Sequence, residues 1–198
     1  MKKLITIFAL FFLITSAKAQ LPEKAEDISP LLIGEKIPSA SISTIDGKMI
    51  ASTELFNGQK TILIFYRGGW CPYCNTQLGQ LQSIEGDLIK MGYQIVAVSP
   101  DTPEKLRESL EKNKLTYTLL ADNSGSLAKA MGIAFKAPAN YEKRLKAIQG
   151  EEAELHLPVP SVFIVGKEGD ILFEYINPNY KVRISSNLLL TAAAAVGN

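Results

Sequence analysis

The chain holds two cysteines, Cys71 and Cys74, in the stretch Gly69-Trp70-Cys71-Pro72-Tyr73-Cys74-Asn75. Two thiols at this spacing can do three different things. As a structural disulfide they close a very small loop, and loop-closure stabilisation grows with loop length, so a chain of this size gains little from the bridge. As part of a structural zinc site they need about two more ligands, and the only histidine is His156. As a redox pair they need one acidic thiol and a second thiol in reach of it. This last reading has a positive argument. Pro72 suits the first position of a helix, which makes Cys71 its cap. A sulfur there faces unpaired N–H groups and the positive end of the helix dipole, and both favour thiolate. Arg67 is near in sequence and adds to the effect. Cys74, one turn on, is placed to attack a mixed disulfide and release the product.

The elements around the pair are legible from pattern. Residues 61–66 form a continuous apolar, β-rich run of the kind that is buried on both faces of a sheet. Gly68-Gly69 breaks it. From Pro72 the period becomes helical, with Leu78, Leu81, Leu88 and Ile89 assigned to one face. Upstream, Ala40, Ile42 and Thr44, the Asp46-Gly47 turn and Met49-Ile50 read as a small hairpin. Residues 93–98 are a second buried strand, ending in the helix-start run Ser99-Pro100-Asp101-Thr102-Pro103. Leu106 and Leu110 mark the inner face of that helix. Residues 117–120 read as a strand and 126–131 as a short helix. Residues 137–155 are charged, with a helical stretch over 141–148. A hairpin over 161–165 and 171–176 and a final helix over 185–195 complete the chain. The order predicts an α/β, thioredoxin-like fold, a central mixed sheet flanked by helices. The cysteines sit where the first central strand hands over to its helix.

The N-terminus bears on how thiols are read. Lys2 and Lys3 precede an apolar run over 4–14, and Ala17-Lys18-Ala19 offers small residues for cleavage. This is the pattern of a secretory signal peptide over 1–19, with cleavage near Ala19/Gln20, and it implies a secreted or periplasmic protein. An uncleaved anchor is the other reading. The rest divides into a polar, loose arm over 20–30 and one domain over 31–198. Loss of Lys2, Lys3 and Lys18 leaves 18 basic against 20 acidic side chains, a net charge of −2. Such a surface has no electrostatic reason to seek nucleic acid or an acidic membrane, and no stable membrane association is expected.

The segment Trp70-Cys71-Pro72-Tyr73-Cys74 resembles a thioredoxin-superfamily active site, and Val159-Pro160-Ser161 resembles the loop whose cis proline faces the cysteines there. The wider chain resembles the alkyl hydroperoxide reductase/thiol-specific antioxidant family. The stretch 33–48 is similar to that family's N-terminal extension, here a peroxiredoxin-type β-hairpin, and 98–133 to its middle section. The resemblance covers about residues 31–190. Aligned on Phe65-Tyr66, the family's Pro-x-x-x-Thr-x-x-Cys falls on residues 67–74. It places the peroxidatic cysteine at Cys74, with Cys71 replacing its threonine and Arg67 its proline. The activating arginine falls on Pro160. This is the pattern of the peroxiredoxin-like CxxC subgroup. Thioredoxin's buried acid falls near Phe65, so that aid to proton transfer is absent from its usual place.

Taken together, these features indicate a thiol–disulfide oxidoreductase. Cys71 is the nucleophile, Cys74 the resolving thiol and Cys71–Cys74 the redox disulfide. Trp70, Pro72, Tyr73, Pro160 and Arg67 border the substrate. No cofactor or metal is implied. The partner is a protein or low-molecular-weight dithiol or disulfide. A second reading is a thioredoxin-dependent thiol peroxidase acting on hydroperoxides, with Cys74 attacking and Cys71 resolving. A third is a non-catalytic peptide-binding module. With the family's threonine and arginine both replaced, disulfide exchange is expected to be fast and peroxide reduction slow, and Arg67 is the candidate substitute for the arginine. His156, between Leu155 and Leu157, reads as a loop or packing histidine. Tyr180 and Arg183 lie either beside the site, as the family's chain path implies, or in an exposed C-terminal cap. Intact-mass measurement of the exported protein is expected to show a chain starting at Gln20. Residues 1–19 retained in a membrane fraction would show an anchor instead.

Overall fold

The structure, a computed structural model, describes residues 20–196. The leader expected over 1–19 lies outside the described residues. The strands are β1 (Ser41–Thr44), β2 (Met49–Ala51), β3 (Lys60–Phe65), β4 (Tyr93–Ser99), β5 (Thr118–Ala121), β6 (Ala134–Lys136), β7 (His156–Pro158), β8 (Ser161–Val165) and β9 (Ile171–Ile176). The helices are α1 (Pro72–Lys90), α2 (Pro103–Asn113), α3 (Ser126–Ala130), α4 (Glu142–Gln149) and α5 (Ser186–Val196). Seven strands make one mixed sheet, ordered β2-β1-β5-β4-β3-β8-β9.

Strand β3 lies inside this sheet, parallel to β4 with Ile62 opposite Ile95, and antiparallel to β8 with Phe65 opposite Ser161. Its side chains alternate between two cores, which is why the run is apolar without interruption. Ile62 and Ile64 face the layer of α1, α2 and α5, while Leu63 and Phe65 face α3 and the N-terminal segment. A parallel pair needs a crossover, and α1 supplies it between β3 and β4. The inner face of α1 is Leu78, Leu81, Ile84 and Leu88. Ile89, assigned to that face from sequence, is 57% exposed, because Leu88 fills the position and the next residue turns about 100° away. Helix α5 packs beside α1, and the buried Tyr93 hydroxyl donates to the carbonyl of Ala193 at 3.0 Å.

The hairpin expected near the N-terminus is β1–β2, with Gly47 at φ +81° in its turn, and β1 joins the main sheet through β5. Two segments depart from expectation. The arm over 20–30 is packed rather than loose. Leu21 is buried, the Pro22 carbonyl accepts from the Lys136 amide at 2.8 Å, and Glu23 pairs with Lys136 at 3.0 Å. Within the charged stretch 137–155 and its flanks, β6 and β7 pair as a second, two-stranded sheet. Each is three residues long, too short to carry a readable period. Together with α4 this sheet closes a third apolar cluster around Phe135, Leu145, Leu157 and Val159, with the side of Trp70 packed on it. The site therefore has a wall the sequence did not announce.

Leu78 is fully buried on the crossover helix. Leu78→Ala is expected to cost about 2–5 kcal/mol of folding free energy, as cavity-forming truncations do. The midpoint of denaturant unfolding measures it.

Candidate active site

The turn from β3 into α1 presents the cysteines. Tyr66 makes the last sheet bond, its amide donating to the Val98 carbonyl at 3.0 Å. Gly68 follows at φ +132°, a conformation open to glycine, and a Cβ there would strike the Trp70 indole and the Asp101 carboxylate. Asp101, at the end of β4, holds the turn by accepting the Gly69 amide at 2.7 Å. Asn75 closes it from the helix side, donating to the Gly69 carbonyl at 2.8 Å. Cys71 is the cap residue, extended at φ −89° and ψ 116°, with Pro72 in the first turn. Its carbonyl accepts the amides of Cys74 and Asn75, both at 3.1 Å. The cap geometry inferred from Pro72 is present.

Both cysteines are free thiols, 1% and 0% exposed respectively. The Cys71 pKa is brought down to about 6, first by the hydrogen bond from the Cys74 thiol, with the Cys74 amide and the charges of Arg67 and Arg183 adding to it against the cost of burial. Cys74 moves the other way. Burial and its bond to Cys71 hold its proton on. The pair thus releases one proton readily and keeps the other, with the charge on the cap sulfur.

Two guanidinium groups serve the two sulfurs. Arg183, in the segment between β9 and α5, donates to Cys74 Sγ at 3.3 Å and to Gln77 Oε1 at 2.9 Å, and its Nε donates to the Tyr180 carbonyl at 3.0 Å. Arg183 and Tyr180 are therefore at the site and not in an exposed cap. This corrects the expectation that the chain lacks a group in place of the family's arginine. Arg67 is 3% exposed, and no carboxylate pairs with it among the described residues. Its guanidinium lies 4.1 Å from the Tyr180 ring, 4.6 Å from Tyr141 and 5.1 Å from Trp70. Aromatic faces partly replace the water it has lost.

The remaining candidates fall around this centre. Trp70 is half-buried between Arg67 and Arg144, the latter 4.9 Å from its ring, and tilts against Tyr141 at 5.2 Å. Tyr73 is half-exposed and meets Tyr180 edge-on at 5.8 Å. Pro160 precedes β8 and lines a cavity of about 380 Å³ with Arg67, Tyr141 and Tyr180. The cis form implied by the resemblance is not present, since no peptide bond among the described residues is cis. A trans proline at the start of a strand gives up no ladder bond, so the sheet does not require the cis form. His156 is a packing residue, buried on β7 with Nδ1 at 3.2 Å from the Glu154 carbonyl and its pKa lowered by burial.

Sequence reasoning missed several members. Asp101 is buried, and its pKa is pushed up to about 6 by that burial. The chain thus places a buried acid near the pair from β4 and not from the strand before the motif. Its position just beyond the carboxyl end of a parallel strand, where α/β sites form, was a usable signal. Gln77, a polar residue of α1, is buried against Arg183. Nothing in the local pattern marked Tyr141 or Arg144.

A thioredoxin-type sheet carrying a buried dithiol at a helix N-terminus defines a thiol oxidoreductase. The model of the AhpC/TSA family matches residues 33–173, and the chain belongs to that family. It is 30% identical to the putative peroxiredoxin bcp of Haemophilus influenzae over 54% of this chain and 68% of that one. It is 32% identical to peroxiredoxin Bcp of Escherichia coli K12 over 54% of this chain and 67% of that one. The fold superposes on the crystal structure of reduced Prx3 in complex with H₂O₂ from Vibrio vulnificus with TM-score 0.70 and 19% identity, covering 82% of this chain and 99% of that one.

Alkylation of the reduced protein by iodoacetamide is expected to modify Cys71 first, at a rate rising through pH about 6. Arg67→Met should move that rise to higher pH, because it removes a cation that favours the thiolate. In Cys71→Ser, the remaining Cys74 thiol should react only under more alkaline conditions.

Proposed function

We propose that this protein is a thiol peroxidase that cycles through a Cys71–Cys74 disulfide. The observation that carries the reading is the Cys71 sulfur at the N-cap of α1, the more acidic of the pair, under the charges of both Arg67 and Arg183. Attack on a peroxide builds negative charge on the departing oxygen, and a preorganised cation beside the sulfur lowers that barrier. The resemblance puts the family's arginine position at Pro160, but Arg183 reaches Cys74 Sγ from the loop before α5. The names of the relatives point the same way.

In this scheme the Cys71 thiolate attacks the outer oxygen of a hydroperoxide. The O–O bond breaks, the alcohol or water leaves with a proton, and Cys71 becomes a sulfenic acid. The Cys74 thiol then attacks the Cys71 sulfur, forming the disulfide and releasing water. The Cys74 proton goes to the departing hydroxyl, which leaves as that water. An external thiol, from a thioredoxin-like protein or a small molecule, restores the dithiol by exchange at Cys71. Thiol–disulfide exchange is thus the reductive half of the same cycle, with Trp70, Tyr73 and Pro160 bordering it. The leader pattern over 1–19 assigns the cycle to the periplasm or exterior. A second reading follows the family register and makes Cys74 the attacking sulfur. The Arg183 contact favours it, whereas the deeper burial of Cys74 opposes it.

Peroxide treatment of Cys74→Ser, followed by trapping with a sulfenic-acid reagent and mass analysis, is expected to label Cys71. Faster labelling of Cys74 in Cys71→Ser would move the attacking role to Cys74. Arg183→Met should slow peroxide consumption on the order of tenfold to a hundredfold. A wild-type rate constant for hydrogen peroxide far below that for a model protein disulfide would return the protein to disulfide exchange alone.

A further inference from the structure

We propose that the cleft between α2 and α4, beside Trp70, is a binding site for small thiols or disulfides that carry carboxylates. The inference rests on the reading that the Cys71–Cys74 pair cycles through a disulfide, and it names the class of reductant for that cycle. The cleft measures about 660 Å³, and one wall is Gly69-Trp70, the segment that leads directly into Cys71. That volume admits a molecule of two or three residues but not a folded domain. Its apolar surface is the Trp70 ring with Ala147 and Ile148.

The rest of the lining is cationic. Lys105 and Glu108 neutralise each other at 2.8 Å. Lys112, Lys143 and Arg144 form no ion pair among the described residues, and all three border the cleft. Asp101 is the remaining acid of the lining, and it is turned inward onto the Gly69 amide. Three cations without an ion-pair partner around an apolar floor describe a receptor for an anion with a short organic body. On a chain with 21 basic and 20 acidic side chains, this concentration is local and lies beside Trp70, the residue before Cys71.

The step balances without another reactant. The bound thiolate attacks the Cys71 sulfur of the disulfide, and Cys74 leaves as a thiolate that takes up a proton. A second thiol then attacks the mixed disulfide on Cys71, releasing the small disulfide and the Cys71 thiolate.

Trp70 is the only tryptophan, so its fluorescence reports on the cleft. The oxidised mature protein is titrated with glutathione sulfonate, which has the charges and no thiol. A saturable change is expected, weakened about tenfold or more in the surface double variant Lys112→Glu/Lys143→Glu. Reduction of the disulfide is then timed with glutathione and with neutral 2-mercaptoethanol at equal thiolate concentration. The variant should slow the glutathione reaction by a similar factor and leave the 2-mercaptoethanol reaction unchanged. A titration without saturation, or equal slowing of both thiols, overturns the proposal. If neither small thiol reduces the pair but a thioredoxin does, this proposal is overturned and the cycle stands; if none of the three reduces it, the cycle is refuted as well.

Discussion

The structure is organised around keeping one sulfur charged while it is buried. A thiolate taken out of water is costly unless fixed dipoles and cations replace its hydration. Each feature of the β3–α1 turn contributes to that replacement. Pro72 starts the helix where Cys71 caps it. Gly68 allows the chain to fold over without a side chain in the way. Asp101 and Asn75 hold the turn from both sides, so the cap sulfur does not drift from the helix end or from Cys74. A looser turn would let water in or the thiol reprotonate, and the helix end would no longer act on the sulfur, because its influence falls off within a turn.

Arg67 shows the reciprocal dependence. A guanidinium that is 97% buried ordinarily pairs with a carboxylate, and here three aromatic rings and the Cys71 thiolate take that place. Cation–π contacts contribute roughly 0.5–2 kcal/mol each, less than full hydration of the ion. The thiolate therefore stabilises Arg67 as much as Arg67 stabilises the thiolate. When the pair becomes a disulfide, that anion disappears and the guanidinium keeps only the rings and the Tyr141 hydroxyl. The oxidised site is thus more electropositive than the reduced one. In the proposed cycle, electrostatics then favours the approach of an anionic reductant to the oxidised form.

Much of this fold was legible because its signals are local. The buried runs at β3 and β4, the exact hairpin limits of β8 and β9, and the start of α1 at Pro72 all follow from composition and turn chemistry. The cap role of Cys71 followed from a single proline. What stayed hidden depends on tertiary placement. Strands β6 and β7 are each stabilised by the other and by α4, and neither has a period of its own. Ile89 is exposed and Gln77 buried because the inner face of α1 is set by what packs on it, here α5 and Arg183. The packing of the arm over 20–30 depends on a bond to Lys136, more than a hundred residues away in sequence.

Arg183 carries the more general lesson about the site. Alignment on Phe65-Tyr66 puts proline where the family has its arginine, and from that position alone the chain seems deprived of an anion-stabilising group. Coulombic stabilisation depends on the distance between charges and on the medium, and it is indifferent to which strand or loop supplies them. The loop after β9 returns across the end of α1, and Gln77 and the Tyr180 carbonyl fix the guanidinium on Cys74 Sγ. With Arg67 on the other side, the two cations bracket a dithiol that shares one readily lost proton. A cation on each sulfur also explains why the two cysteines differ in acidity through burial and cap position and not through possession of an arginine. Cys71 lies at the helix end and gains its amides, while Cys74 lies one turn deeper and is held protonated. In the proposed cycle, that asymmetry suits Cys71 to attack and Cys74 to resolve.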